Sequence, residues 1–148
     1  MSPVAAPVWP RPAVSIAVFR AGEVLLIERG KGALKGRGSL PGGHIEPGEP
    51  ARVAVMRELI EETGVIADLV GLADVHDVIL RDAGGGLAVH YVLSVFAGRW
   101  RSGEPVGGSD AAAAAFFALD AIAALPLSDG AERIIARAAA TLAGRSTW

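Results

Sequence analysis

Three glutamates lie close together in this chain: Glu58, Glu61 and Glu62. In a helix, their i,i+3 and i,i+4 spacing brings the carboxylates onto one face, where like charges repel by roughly a few tenths of a kcal/mol per pair. Carboxylate oxygens that have no His or Cys beside them favour a hard cation, Mg²⁺ or Mn²⁺. Spacing alone therefore leaves two interpretations, an ordinary solvated helix face or a divalent metal site.

The predicted helix that carries these glutamates runs from Pro50 to Thr63, and Gly64 is a natural stop. On a helical wheel, the bulky apolar residues form one arc and the glutamates lie on the opposite side. We therefore expect the helix to bury the apolar arc and to expose the glutamates. Glu49 is placed to complement the helix dipole, while Arg57 and Glu61 have the spacing of an ordinary surface ion pair. The arc consists of Val53, Val55, Met56, Leu59 and Ile60.

A glycine-rich loop, Gly30–Gly43, leads towards this helix. Its end and the helix together match the signature G-x5-E-x7-R-E-U-x-E-E-x-G-U, in which U is a bulky aliphatic residue. Every defined position is satisfied, so the chain resembles the Nudix hydrolase family. The matching residues are Gly43, Glu49, Arg57, Glu58, Leu59, Glu61, Glu62, Gly64 and Val65.

The resemblance implies an α/β (α+β) fold in which a mixed β-sheet is sandwiched between helices (α/β/α). It also implies that the three glutamates bind Mg²⁺ or Mn²⁺, with the backbone carbonyl of Gly43 as a further ligand. In the same family pattern, Arg57 orients the glutamates, Glu49 supports the metal network or the helix start, and Gly64 ends the helix.

The implied reaction is hydrolysis of a phosphoanhydride bond in a nucleoside diphosphate that is linked to another group. Divalent ions neutralise phosphate oxygens and lower the pKa of bound water, and a carboxylate takes the proton. Glu58 is one candidate for this general base. Some members of the family use an acid from a later loop instead, and the candidates here are Asp110 and Glu104.

The substrate is less well defined than the reaction. The C-terminal third resembles the bacterial ADP-ribose pyrophosphatase-like branch, so the leading hypothesis is cleavage of ADP-ribose to AMP and ribose 5-phosphate. A nucleoside triphosphate pyrophosphohydrolase and a non-catalytic nucleotide-binding module are the alternatives. The substrate-binding candidates, each with an ordinary structural explanation as the alternative, are Lys35, Arg37, His44 and Trp100.

These residues must be positioned by elements that the sequence also predicts. A Pro-rich arm at residues 1–12 precedes a single domain at residues 13–148. Strands are expected first, joined by a turn at Ala21-Gly22, and Arg99–Asp110 is expected to be a polar loop. The predicted strands are Ala13–Arg20, Glu23–Glu28, one or two within Val65–Leu80, Leu87–Ala97 and Ala113–Leu119. A short helical turn is expected at Asp120–Ala124 and a final helix, capped by Ser128 or Asp129, at Asp129–Ala143.

Composition narrows the partners and the compartment. The formal net charge of −2 does not favour nucleic acid as a partner, and the lack of cysteine excludes disulfides, Cys-based zinc sites and thiol nucleophiles. No apolar run reaches the length of a membrane span, so we expect a cytoplasmic protein without a membrane partner. A homodimer, in which Trp9 of the arm packs on the partner, is a further hypothesis.

Overall fold

A computed structural model describes residues 8–30 and 36–145. These residues form seven strands and two α-helices, with a short 3-10 helix at Leu119–Ala124. The helices are α1 (Ala51–Thr63) and α2 (Ala131–Leu142). The strands are β1 (Arg11–Arg20), β2 (Glu23–Arg29), β3 (Gly38–Ser39), β4 (Gly42–His44), β5 (Ile66–Arg81), β6 (Leu87–Ser102) and β7 (Ala111–Ala118).

The strands join into one mixed sheet whose main path is β3-β2-β1-β6-β5, while β4 pairs with β1 and β7 with β2. The pairing of β1 with β6 is parallel, and the other pairings are antiparallel. Alternate side chains of β1 point to opposite faces, as the two-residue period of a strand requires. Ile16 packs in the core beneath α1, and Phe19 packs in the core beneath α2. The expected mixed sheet between helices is thus confirmed.

The buried face of α1 differs from the predicted one. Val55 and Leu59 are buried as expected, but Val53 is 54% exposed and Ile60 is 49% exposed. The helix is rotated so that Ala54 and Glu62 face the interior instead. Ala54 has little volume and allows close packing, whereas the wheel weighted the bulky side chains alone. The expectation that all three glutamates would be exposed was wrong for Glu62, which is buried, and Glu58 is only partly exposed.

The two ends of α1 show one confirmed prediction and one correction. Gly64 adopts the left-handed conformation at φ 73° and donates a backbone hydrogen bond to Ile60, which ends the helix as predicted. The helix begins at Ala51, and Pro50 immediately precedes it rather than forming its first turn. Pro50 at the N-cap makes no side-chain hydrogen bond, and the carboxylate of Glu49 bonds to Arg57.

Several predicted boundaries shift once tertiary pairing is known. β1 begins at Arg11, so the last two residues of the predicted arm belong to the sheet. β6 continues to Ser102, because its end pairs with the start of β5, and the predicted polar loop therefore begins only at Gly103. The helix α2 follows Gly130 in a left-handed conformation, so neither Ser128 nor Asp129 caps it. Within residues 8–30 and 36–145, no helix has the length and apolar character needed to cross a membrane.

Candidate active site

Arg57 is the hub of a hydrogen-bonded network on α1. Its guanidinium donates two bonds to the Glu49 carboxylate, at 2.7 and 2.9 Å, in the paired geometry that suits arginine and carboxylate. A third bond, of 3.2 Å, goes to the backbone carbonyl of His44 in β4. The hydrogen bonds from Arg57 lower the pKa of Glu49 to about 2. The network therefore joins the helix to the preceding loop and strand.

The same guanidinium also reaches two of the signature glutamates. Nη1 of Arg57 donates to Glu58 at 3.0 Å and to Glu61 at 3.2 Å. The side chain of Glu58 is 16% exposed and that of Glu61 is 46% exposed. Burial raises the pKa of the Glu58 carboxyl, and the bond from Arg57 partly opposes this effect. Arg57 thus lies where it can orient both carboxylates.

Glu62 is the most deeply buried of the three glutamates, at 4% exposure. Its Oε1 accepts a 2.7 Å hydrogen bond from the backbone N–H of Gly42. Burial raises the pKa of Glu62 to about 7; the bond from Gly42 opposes this shift, and the charge of Glu58 adds to it. A buried carboxyl with this pKa exchanges its proton near neutral pH.

Glycine at positions 42 and 43 lets the chain pass very close to its neighbours. A Cβ at Gly43 would lie 2.5 Å from Oε1 of Glu58, and a Cβ at Gly42 would overlap the carbonyl oxygen of Val14. Backbone atoms leave no room for a side chain at Gly42, whereas a side chain at Gly43 would displace the Glu58 carboxylate. The ligand role of the Gly43 carbonyl stays a prediction.

The loop that follows β6 forms another wall of the site. Its backbone donates hydrogen bonds from Val106 to Thr63 and from Gly108 to Glu62, both at 3.0 Å. At the end of the loop, the carbonyl of Asp110 accepts a 3.1 Å bond from Gly30. Burial is the largest cause of the raised pKa values of Glu58 and Glu62, and the charge of Asp110 adds to both. The loop therefore places Asp110 close enough to Glu58 and Glu62 for its charge to act on both.

Glu104, the other later acid considered, lies in a different environment. Its carboxylate forms a 2.9 Å ion pair with Arg20. That guanidinium also stacks over the rings of Phe116 and Trp100, at 4.0 and 5.1 Å from their centroids. These contacts give Glu104 a structural partner of its own.

The positive charge of Arg29 lowers the pKa of Glu62, although by less than burial raises it. Sequence reasoning missed this residue. The only feature of the sequence that points to Arg29 is its position, at the end of a strand and immediately before the glycine-rich loop.

The four substrate-binding candidates have different surroundings. Lys35 lies outside the described residues. The guanidinium of Arg37 is 3.4 Å from the backbone carbonyl of Leu127, and the ring of His44 packs against Tyr91 with centroids 4.9 Å apart. Burial, together with the nearby charge of Arg11, lowers the pKa of His44, which favours the neutral ring.

Trp100, the aromatic residue among the substrate-binding candidates, is only partly exposed to solvent. It lies inside β6 rather than in a loop and packs, half-buried, against the core beneath α1. Its indole N–H donates a 2.8 Å bond to the carbonyl of Gly103. Because β6 continues to Ser102, Trp100 lies in the part of the strand that pairs with β5, opposite Ala67.

The chemistry of the site suits a hard divalent ion, because every side-chain donor is a carboxylate oxygen and Glu62 is buried. In this structure, however, the carboxylates are not arranged as a set of metal ligands. Among the described residues, no three His, Asp or Glu side chains converge closely enough to hold a metal ion. Arg57 instead bonds to oxygens of Glu58 and Glu61.

A family model described as the NUDIX domain matches residues 9–138. This chain belongs to the Nudix family. The match extends from before β1 into α2, so it covers the whole sheet, all of α1 and the first part of α2.

The relatives of this Nudix chain include enzymes and ligand-binding domains. An ADP-ribose pyrophosphatase of Methanocaldococcus jannaschii is 36% identical over 112 residues, which are 75% of this chain and 63% of the relative. The chain thus spans less than two thirds of that protein. A MutT NUDIX hydrolase from Burkholderia pseudomallei superposes with a TM-score of 0.73 at 31% identity, covering 87% of this chain and 98% of the other.

The fold is also shared with a ligand-bound structure. The NUDIX domain of Shewanella oneidensis NrtR, complexed with ADP ribose, has a TM-score of 0.73 at 21% identity. The superposition covers 90% of this Nudix chain and 89% of that one. At this identity, the likeness concerns the fold.

Proposed function

We propose that this protein is a metal-dependent hydrolase that cleaves a phosphoanhydride bond in a nucleoside diphosphate linked to another group. The observation that carries the proposal is the set of glutamates on α1, which lies against the Gly42-Gly43 backbone and is held by Arg57. A solvated helix face would not need a buried Glu62 bonded to a backbone N–H. The Nudix family membership of the chain supports the same reaction class.

Glu58, Glu61 and Glu62 would hold Mg²⁺ or Mn²⁺, with the Gly43 carbonyl as a further ligand. The bound ion would neutralise phosphate oxygens and lower the pKa of water. Arg57 would release its bonds to Glu58 and Glu61 in part and keep its paired bond to Glu49, which anchors it. Glu62 would lose its proton when the site is loaded, because its pKa of about 7 leaves it partly protonated at neutral pH.

A water molecule attacks phosphorus, the bond to the leaving oxygen breaks, and a carboxylate accepts the proton of the water. Glu58 and Asp110 are the two candidates for this general base. Asp110 lies beside the glutamates without belonging to the helix, so its carboxylate can take the proton while the helix residues hold the metal. Arg29 would bring a positive charge towards the phosphates from the end of β2.

ADP-ribose is the substrate that we propose first, with water converting it to AMP and ribose 5-phosphate. Two findings support it: the Methanocaldococcus jannaschii relative is an ADP-ribose pyrophosphatase, and the structurally similar NrtR domain is complexed with ADP ribose. A cytoplasmic location, the lack of a nucleic-acid partner and a single catalytic domain at residues 13–148 remain part of the proposal.

The test is a hydrolysis assay with Mg²⁺ and a panel of substrates: ADP-ribose, other nucleotide sugars, NADH, diadenosine polyphosphates and nucleoside triphosphates. Products are resolved by chromatography, and Glu61→Gln and Glu62→Gln proteins are assayed beside the wild type. Glu132→Gln, in the first turn of α2, is the control for loss of a helical carboxylate outside the site. We expect AMP and ribose 5-phosphate, with turnover lost to chelator and to both site variants.

Two other results would revise the proposal. Pyrophosphate released from triphosphates, with ADP-ribose left intact, would replace the substrate and keep the hydrolase. Nucleotide binding without turnover of any substrate, and without dependence on metal, would overturn the hydrolase and favour a binding module.

A further inference from the structure

The strand β5 forms an open edge of the sheet. Among the described residues, it pairs with β6 alone. An unpaired edge offers a row of backbone N–H and C=O groups to another strand, and natural proteins usually interrupt or cover such edges. The edge is also unusually apolar. Its exposed large hydrophobic side chains are Ile66, Val70, Leu72, Val75, Ile79 and Leu80.

One part of this edge lacks the usual interruption. Register shifts break the pairing of β5 with β6 at three places before Asp74 and once more between Leu80 and Arg81. From Asp74 to Leu80 the pairing is continuous. At the last shift the skipped residue, Ala88, lies in β6, so β5 itself runs on without an extra residue. The stretch that ends at Arg81 is therefore a regular edge, available to a further strand.

Two copies of this stretch can pair with each other in several registers, which differ in the residues that they bring face to face. When two identical strands pair antiparallel about a two-fold axis, the axis is perpendicular to the sheet, and residues equally far from it face each other on the same side. An axis through Asp77 places the two copies of that carboxylate opposite each other. An axis through Val78 places Asp77 opposite Ile79, and Arg81 opposite Val75.

An axis through Ile79 gives a complementary set of pairs. Ile79 then faces Ile79, Val78 faces Leu80, and Asp77 faces Arg81 on both sides of the axis. Opposite charges and apolar pairs that lie directly across two strands stabilise a sheet, and like charges destabilise it. Asp77 and Arg81 are both exposed, so they are accessible to a second chain.

We propose that a second copy of this chain pairs antiparallel with β5, in the register centred on Ile79, and extends the sheet across two molecules. A second copy is favoured over a different protein because the same stretch of β5 supplies both members of the charge pair, Asp77 and Arg81. It also supplies the apolar residue at the centre of the pairing, Ile79. The proposal does not depend on the hydrolase activity, because none of these residues belongs to the candidate active site.

The test is a charge reversal followed by sedimentation velocity over a concentration series. Asp77→Arg and Arg81→Asp each place like charges across the axis twice, and we expect each to weaken the dimer by about tenfold or more. The double variant, Asp77→Arg with Arg81→Asp, restores both pairs with exchanged signs and should recover the wild-type dimer. Circular dichroism verifies that every variant is folded.

Arg101→Asp is the matched control. It also reverses an exposed arginine on the β5–β6 hairpin, next to Asp68, but at the other end of the hairpin. We expect it to leave the dimer unchanged. A wild-type protein that sediments as a monomer throughout would overturn the proposal and leave the edge to another partner. A dimer that survives the single reversals, or that the double variant does not restore, would also overturn this register.

Discussion

Removal of the Glu62 charge should stabilise the metal-free protein even though it abolishes the proposed activity. Glu62 is buried, and its pKa in the folded protein is about 7 instead of the ordinary 4.5. When the pKa of a carboxyl is higher in the folded protein than in the unfolded chain, the protonated group stabilises the fold fully at pH values below the unfolded pKa. That stability is lost as the pH rises through the folded value.

The size of the effect follows from this difference in pKa. At about 1.36 kcal/mol per pKa unit, ionisation of Glu62 in the folded protein costs about 3 kcal/mol once both states are charged. Glu62→Gln removes this cost and keeps an oxygen for the Gly42 N–H, but its NH₂ group must also find partners. We therefore expect a net gain of about 2 kcal/mol at about pH 8, shrinking to less than about 1 kcal/mol at pH 5.

The assay is urea unfolding in the presence of chelator across this pH range, together with thermal unfolding. For a chain of this length, the gain at about pH 8 corresponds to a rise in Tm of about 4–8 °C. Glu61→Gln is the control, because that side chain is 46% exposed and has little burial cost to relieve. A Glu62→Gln protein that is less stable than the wild type at about pH 8, or whose advantage does not grow with pH, would refute the reasoning.

Added Mg²⁺ should then reverse the order of stability. A ligand that binds the folded state alone stabilises it in proportion to its affinity, so the wild type gains stability and Glu62→Gln gains little. Equal stabilisation of both proteins by Mg²⁺ would show that Glu62 does not hold the metal.

Three further predictions concern neighbours of the same site. Gly43→Ala places a Cβ against the Glu58 carboxylate, so we expect kcat to fall by about tenfold or more. Urea unfolding should show a loss of stability of about 1–2 kcal/mol. A normal kcat would contradict the close approach. Arg57→Lys loses the paired bond to Glu49 and should cost about 1–3 kcal/mol, and retention of wild-type stability would show that the pair contributes little. Asp110→Asn removes a charge that adds to the raised pKa of Glu62, so the metal-free protein should lose less stability as the pH rises. This reduction should be smaller than in Glu62→Gln, because burial is the main cause of the raised pKa. An unchanged pH dependence would contradict this prediction.

Local features were predicted well from the sequence. Gly64 ends α1 because only a residue without a Cβ adopts its left-handed conformation easily. The short strands β3 and β4 were missed, because they lie where the sequence predicted a glycine-rich loop. The longer strands and the two helices occur where hydrophobic patterns placed them, although the end of β6 and the start of α2 move. Those ends depend on pairing with distant residues, such as the start of β5 for Trp100, and on the conformation of Gly130. A local pattern does not contain that information.

The sequence by itself determined the identity and spacing of the signature, and hence the family and the side of the helix on which the carboxylates gather. Only the tertiary structure decided that Glu62 is buried against Gly42 while Ile60 is exposed. It also decided that Asp110 rather than Glu104 lies beside the glutamates. Spacing along one helix sets angles within that helix. Packing of the helix against the loop and the sheet decides which face is buried and which distant acid lies beside it. That packing depends on small residues and on backbone hydrogen bonds.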